Sequence, residues 1–219
     1  MDPGGMYKMP TRIPYKNEFI TGKKTTGEYL RMQEWMGKFY LKDFFCKFDQ
    51  INNFGRFLEI GSGPGYQTTL VKEKYQPREL IGLEYSTDMI RVAEEYCWVK
   101  RMSDNIKYIH GTVEDKSLIQ SLGRFDLIYS TFSFHRWSDA VQGIDNLYKA
   151  LNPHGILFLY DFYRGGPFYY LNVKRGLWES IRASYRPEEV RQMLATLGIE
   201  NYFIRHKGLY MDLVVKKEG

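Results

Sequence analysis

Cysteine is scarce: among 219 residues only Cys46 and Cys97 carry a thiol. Two are too few for a disulfide framework, and neither has metal-ligand spacing, so no metal site is expected. Long apolar runs are missing as well. None approaches the roughly 20 residues that cross a bilayer, and the N-terminus has no signal-peptide core. The expectation is a soluble, cytoplasmic chain. There is no dense basic block. Net charge is +5, and residues 1–47 carry nine Lys/Arg against five Asp/Glu, residues 162–219 ten against six, and the middle twelve against fifteen. Basic flanks around an acidic centre do not demand strong nucleic-acid binding. The dinucleotide loop G-x-G-x-x-G is also absent, since Tyr66 stands where its third glycine would be, which argues against a dehydrogenase.

A hydrophobic content of 43% with 16% aromatics fits a folded domain with a sizeable core. Residues 1–50 read as an N-terminal segment and helix covering the site, and residues 51–219 as the main domain. Met1 to Gly22 shows no clear period, although Tyr15 and Phe19 are apolar enough to fold back. Thr25 and Glu28 form a capping-box pattern opening a helix, along which Tyr29, Met32, Trp35, Met36, Phe39, Tyr40, Phe44 and Phe48 recur at helical spacing. Short apolar strands are expected at Phe57–Ile60, Leu80–Glu84, Ile106–Ile109, Phe125–Tyr129 and Ile156–Tyr160, alternating with helices. Ser86 and Ser138 are candidate helix starts. Such alternation implies right-handed crossovers and a parallel sheet, with continuous apolar strands covered on both faces. Pro187 opens a last helix that Gly198 closes, and Tyr202–Arg205 with Leu209–Val215 reads as a β-hairpin.

The stretch Phe57-Leu58-Glu59-Ile60-Gly61-Ser62-Gly63-Pro64-Gly65 is a strand entering a loop with glycine at every second position. Strand, glycine loop and helix together aim backbone N–H groups at an anionic ligand group. Glu84 ends the next strand about twenty residues on, where a carboxylate can accept from both ribose hydroxyls. The pattern E-x-G-x-G-x-G resembles motif I of the class I S-adenosylmethionine-dependent methyltransferases. The alternating strands and helices and the final hairpin resemble that family's fold: α/β, a doubly wound, mostly parallel seven-stranded sheet with a C-terminal antiparallel hairpin, Rossmann-like. The resemblance implies S-adenosyl-L-methionine as cofactor, with S-adenosyl-L-homocysteine as product. It places Glu59, Gly61, Ser62, Gly63 and Gly65 around the methionine end, Glu84 on the ribose, and Tyr85 and Met89 beside the adenine. Thr112, Val113 and Glu114 stand where the family often has an acid near the adenine amine, so Thr112 departs from the pattern.

Tyr129-Ser130-Thr131-Phe132-Ser133-Phe134-His135-Arg136-Trp137 is similar to the corresponding segment of the ubiquinone/menaquinone-methyltransferase-like branch. That similarity puts Ser130 and Thr131 beside the methionine part. It makes His135 the candidate catalytic base, the alternative being a histidine that orders the loop. Tyr15, Tyr163, Arg164, Tyr169 and Trp178 are candidates for an aromatic pocket with a basic rim, suited to a planar or anionic small molecule; the alternative is a secondary core. No Asn/Asp-Pro-Pro-Tyr segment and no Pro-Cys pair is present, which argues against methylation of adenine's amine or cytosine C5. The leading expectation is methyl transfer to a small-molecule acceptor by in-line displacement. A tRNA methyltransferase and a non-catalytic S-adenosylmethionine-binding protein are the alternatives, and an aminopropyltransferase has only Asp161 in its favour.

Overall fold

The alternation of apolar runs and helix formers resolves, in a computed structural model, into successive β/α units. Residues 11–15, 23–51, 55–102, 106–165, 169–170 and 175–219 are described; Phe19 lies outside them. Helix α1 (Lys23–Phe48) precedes β1 (Arg56–Ile60), α2 (Tyr66–Tyr75), β2 (Glu79–Glu84), α3 (Thr87–Val99) and β3 (Ile106–His110). Then come α4 (Lys116–Ser121), β4 (Phe125–Thr131), a 3₁₀ turn at Phe134–Arg136, α5 (Ala140–Lys149) and β5 (Leu151–Phe162). Helices α6 (Arg175–Ala183) and α7 (Pro187–Thr196) lead to β6 (Tyr202–Lys207) and β7 (Tyr210–Lys216). The seven strands form one sheet ordered β3-β2-β1-β4-β5-β7-β6. Strands β1 to β5 pair in parallel, whereas β7 runs antiparallel to both β5 and β6. The doubly wound sheet and its C-terminal hairpin follow the expected class. Strand order reverses between β1 and β4, the place where open α/β sheets hold ligands.

Both faces are covered. Leu58, Ile60, Leu83 and Ile128 pack with Ile144, Leu147, Val190 and Leu194 on the α5/α7 side. Phe57, Leu80, Leu127, Tyr129 and Phe158 pack with Phe44, Phe48, Val71 and Cys97 on the other.

Two expected helix starts are corrected, and the aromatic stripe of α1 divides. The aromatic stripe of α1 does not lie on one buried face: Tyr40, Phe44 and Phe48 are buried, while Met32, Trp35 and Phe39 are exposed. Trp35 and Phe39 pack edge to face with centroids 5.0 Å apart instead of entering the core. That helix already includes Lys23, so Thr25 lies within it and is not its N-cap. Helix α5 is capped by Asp139, which accepts from Gln142 N, and not by Ser138, which donates to Glu114. Helix α6 falls in the stretch between Asp161 and Pro187, for which no element is expected; its Ser180, Ile181 and Ala183 are buried.

Phe48 is 1% exposed and packs against Phe44, Tyr129 and Phe158 at centroid separations of 5.2, 5.3 and 5.9 Å. Phe48→Ala is expected to destabilise the fold by about 3–5 kcal/mol. Urea unfolding checks this, and a loss below 1 kcal/mol would show that α1 is only loosely attached.

Candidate functional site

Parallel pairing sets Ile60 between Leu83 of β2 and Ser130 of β4, so three strand ends meet at one edge. The chain leaves β1 through Gly61, Gly63 and Gly65, with φ of +70°, +54° and +81°. L side chains rarely adopt that region. Space is tight as well: a Cβ at Gly61 would collide with Ser133 Oγ, and one at Gly65 would sit 2.9 Å from Ala93 Cβ. Gly65 precedes α2 with no side-chain cap on that helix, which leaves N-terminal amides without a capping side chain. Ser62 Oγ in the loop and Gln33 Oε1 on α1 are buried without a hydrogen-bond partner. Buried unsatisfied polar atoms of this kind suit a polar ligand.

Two carboxylates flank the loop. Glu84 Oε2 accepts from Gly63 N at 2.9 Å and Oε1 from Ser86 N at 2.9 Å. Burial raises its pKa, and the backbone N–H groups of Ser86, Gly63 and Tyr85 act in the opposite direction. A carboxylate has about four lone-pair sites, so acceptor capacity is left for a ligand hydroxyl. Glu59 lies deeper, 2% exposed, and accepts from Tyr129 OH at 2.9 Å. Burial pushes its pKa up to about 7, the Glu84 charge adds to that, and the Thr68 and Tyr129 hydroxyls offset only part.

Beside Glu84, Tyr85 is half exposed and rests against His110, and Met89 is buried with its N–H on Ser86 Oγ. Thr112 follows β3 and its carbonyl accepts from Asp115 N. The Val113 carbonyl accepts from Asn146, and the Glu114 carboxylate from the Ser138 N–H and hydroxyl at 2.8 and 2.9 Å. Glu114 therefore staples two loops. Ser130 donates to Ile60 O, and Thr131 Oγ1 accepts from Gln67, whose own oxygen takes the Tyr40 hydroxyl. That chain of bonds ties α1 to the site, and Gln67 carried no motif that sequence reading could use.

Past β4 the backbone turns sharply. Phe132 has φ of +54° and stacks on Phe162 at 4.5 Å. His135, 1% exposed, then meets Asp161 at the end of β5: Nδ1 lies 2.8 Å from Oδ1, and the His135 backbone N–H donates to Oδ2 at 2.9 Å. Its Nε2 is buried without a partner.

The pocket candidates divide. Tyr15 packs edge-on to His135, its centroid 5.7 Å away, and lies under Arg136. Tyr169 donates to Thr11 O and Trp178 to Tyr169 O, with Arg182 over both rings. Tyr15 belongs to the segment 11–15, Tyr169 holds that segment at Thr11, and Trp178 backs Tyr169. Tyr163 instead stacks on His206, and Arg164 is buried against Glu189 and the Ser184 carbonyl. A cavity of about 810 Å³ lined by Cys97, Trp98, Ile106 and Tyr108 opens at the amino end of β3 and contains none of the loop residues.

Residues 57–155 match the family model described as a methyltransferase domain. The malonyl-[acyl-carrier protein] O-methyltransferase of Priestia megaterium is 29% identical over 150 residues, 68% of this chain and 52% of that protein. The demethylmenaquinone methyltransferase of Deinococcus radiodurans is 26% identical over 107 residues, 49% of this chain and 43% of that protein. The chain thus spans about half the length of the curated relatives it matches. A Methanococcus maripaludis structure, provisionally assigned as an S-adenosyl-L-methionine-dependent methyltransferase, superposes with a TM-score of 0.71 at 19% identity. It covers 93% of this chain and 97% of its own length, a shared fold.

Glu59 holds its proton more tightly in the folded state than in the unfolded chain, from its ordinary 4.5 up to about 7. Unfolding releases that proton, so stability is expected to fall as pH rises through this window, by on the order of 3 kcal/mol. Thermal unfolding across the window, with Glu59→Gln flattening the slope, is the check; an unchanged slope in the variant refutes the assignment.

Proposed function

We propose that this chain, whose residues 57–155 match a methyltransferase-domain model, moves the methyl group of S-adenosyl-L-methionine onto a small-molecule acceptor. The observation that carries this reading is the Glu84 carboxylate, fixed by Gly63 N–H at the end of the strand beside the glycine loop. An acid there with remaining acceptor capacity suits the ribose hydroxyls. Gly61, Ser62, Gly63 and Gly65 surround the methionine end, where Ser62 Oγ lacks a partner. Glu59, once ionised, favours the positive charge at that end, and Ser130 and Thr131 close it from β4. Tyr85 and Met89 flank the adenine. Because the Val113 and Glu114 carbonyls already accept from Asn146 and Gln142, the amides around Thr112, Val113 and Glu114 are the groups left to meet the ring.

The bound cofactor supplies an activated methyl group on a sulfonium. What remains for the chain is to orient the acceptor and exclude water, worth up to about 7–11 kcal/mol in ideal intramolecular models. Helix α1 covers the loop, with Gln33 and Tyr29 nearest Gly63. Tyr15, Tyr169 and Trp178 wall the acceptor side, and His135 is its catalytic group. Arg12, Arg136 and Arg182 stack on Tyr185, Tyr15 and Trp178 rather than spreading over an open surface. This arrangement favours a small acceptor over tRNA. Among the described residues no helix is long and apolar enough to cross a membrane, and we place the activity in the cytoplasm.

Calorimetry with S-adenosylhomocysteine tests the site. Glu84→Ala is expected to weaken binding about 10- to 100-fold through loss of charge-assisted hydrogen bonds, and Gly63→Val to abolish it by blocking the positive φ. Unchanged affinity in both, or tighter binding of NAD, overturns the reading. Label from S-adenosylmethionine is expected in a small molecule and not in bulk tRNA.

A further inference from the structure

We propose that the outward face of α1 is a docking surface for an anionic phospholipid bilayer, on which the chain sits as a peripheral protein. Met32, Trp35 and Phe39 recur at three- and four-residue spacing, so they form one stripe along the helix. They are 43%, 59% and 65% exposed, although the rings of Trp35 and Phe39 pack together with centroids 5.0 Å apart. The opposite side of α1 already holds the helix to the domain. Tyr40, Phe44 and Phe48 are buried there, Tyr40 donates to Gln67, and Asp43 accepts from Tyr160 at 2.9 Å. The outer stripe is therefore not needed to attach α1. A single exposed apolar residue is ordinary, but three along one stripe form a patch.

Charge selects the occupant. Arg31, Lys38 and Lys42 repeat at seven and four residues, form the stripe next to the rings, and are all exposed. Acids on the helix do little to offset them. Asp43 is bonded to Lys47 and Tyr160, and Glu34 faces Tyr66 and Tyr96. Glu28 is left as the exposed acid among the described side chains of α1. A stripe of Trp, Phe and Met edged by Lys and Arg suits a bilayer interface, where the rings enter among the headgroups and the cations meet lipid phosphates. Trp favours that depth because its ring is apolar and its indole N–H is polar. Other occupants fit less well. Lysine is depleted in protein–protein contacts, and here two lysines border the rings. A second copy across a two-fold axis would set the same cations against each other. Nucleic-acid bases stack on open ring faces, whereas Trp35 and Phe39 meet at 64° and give no flat platform. Gln33 and Tyr29 of the same helix are nearest Gly63, so docking holds the glycine loop one helix diameter, about 10 Å, from the headgroups.

Co-sedimentation of the full chain with vesicles tests this, using phosphatidylcholine alone or mixed with about 30% phosphatidylglycerol. Binding is expected to be about 10- to 100-fold tighter on the anionic vesicles and to weaken as salt is raised. Trp35→Ser combined with Phe39→Ser is expected to weaken it about 10-fold or more. Lys38→Gln combined with Lys42→Gln is expected to weaken it about 25-fold, near fivefold for each charge. Both pairs face water, so the thermal unfolding midpoints should match wild type; if the ring variant fails to fold, the lysine variant decides. No binding to the anionic vesicles, equal binding to both kinds, or binding unaltered in the folded variants overturns the proposal. A wild-type dimer that the ring variant turns into a monomer, or tRNA binding that the same variants abolish, overturns it too by assigning the face to another occupant. The assay needs no cofactor, so its failure leaves the methyltransferase reading untouched.

Discussion

The site depends on one contact between neighbouring strand ends, the bond from Gly63 N–H to the Glu84 carboxylate. Together with the Gly61 and Ser62 N–H bonds to Leu83 O, it fixes the shape of the glycine loop and turns an acid at a strand end into a preset acceptor. The parallel register Ile60↔Leu83 brings the two within reach. The glycines permit the turn because each takes a positive φ and two of them have no space for a Cβ. Sheet register, loop conformation and acid placement are therefore one constraint seen at three scales.

A second layer converges on the same edge from β4 and β5. Ser133, whose hydroxyl takes the Trp137 indole N–H, sits against Gly61. Two residues on, His135 turns back onto Asp161. The glycine loop on one side and the histidine on the other are thus joined by a few residues of one rigid turn, which suits a reaction that needs fixed distances between two bound groups.

Much of this was readable in the amino-acid order, and the reasons are physical. Buried parallel strands are continuous apolar runs, and a strand-end acid or a glycine in a left-handed turn is a local requirement visible without tertiary knowledge. Glu84, Gly61, Gly63 and Gly65 stand out for that reason. Contacts made across the fold do not. Asp161 looked like an isolated acid because its partner lies 26 positions earlier and meets it only after β5 pairs with β4. Glu114 turned out to serve Ser138, a choice that depends on where α5 packs. Arg164 and Tyr163 look like pocket residues by type, yet Glu189 and His206 hold them elsewhere. The aromatic period of α1 suggested one inward face, and the helix keeps only Tyr40, Phe44 and Phe48 there.

Asp161 and Phe162 are consecutive, and the first grips His135 while the second stacks under Phe132. Side chains alternate across a strand, so sliding β5 by one residue would exchange the two grips and undo both. Its antiparallel neighbour pins that alignment through Asp161↔Met211 and Phe162↔Tyr210. The hairpin at the far end of the chain, with no residue in the reacting centre, therefore acts as a gauge block that sets the histidine's height above the sheet.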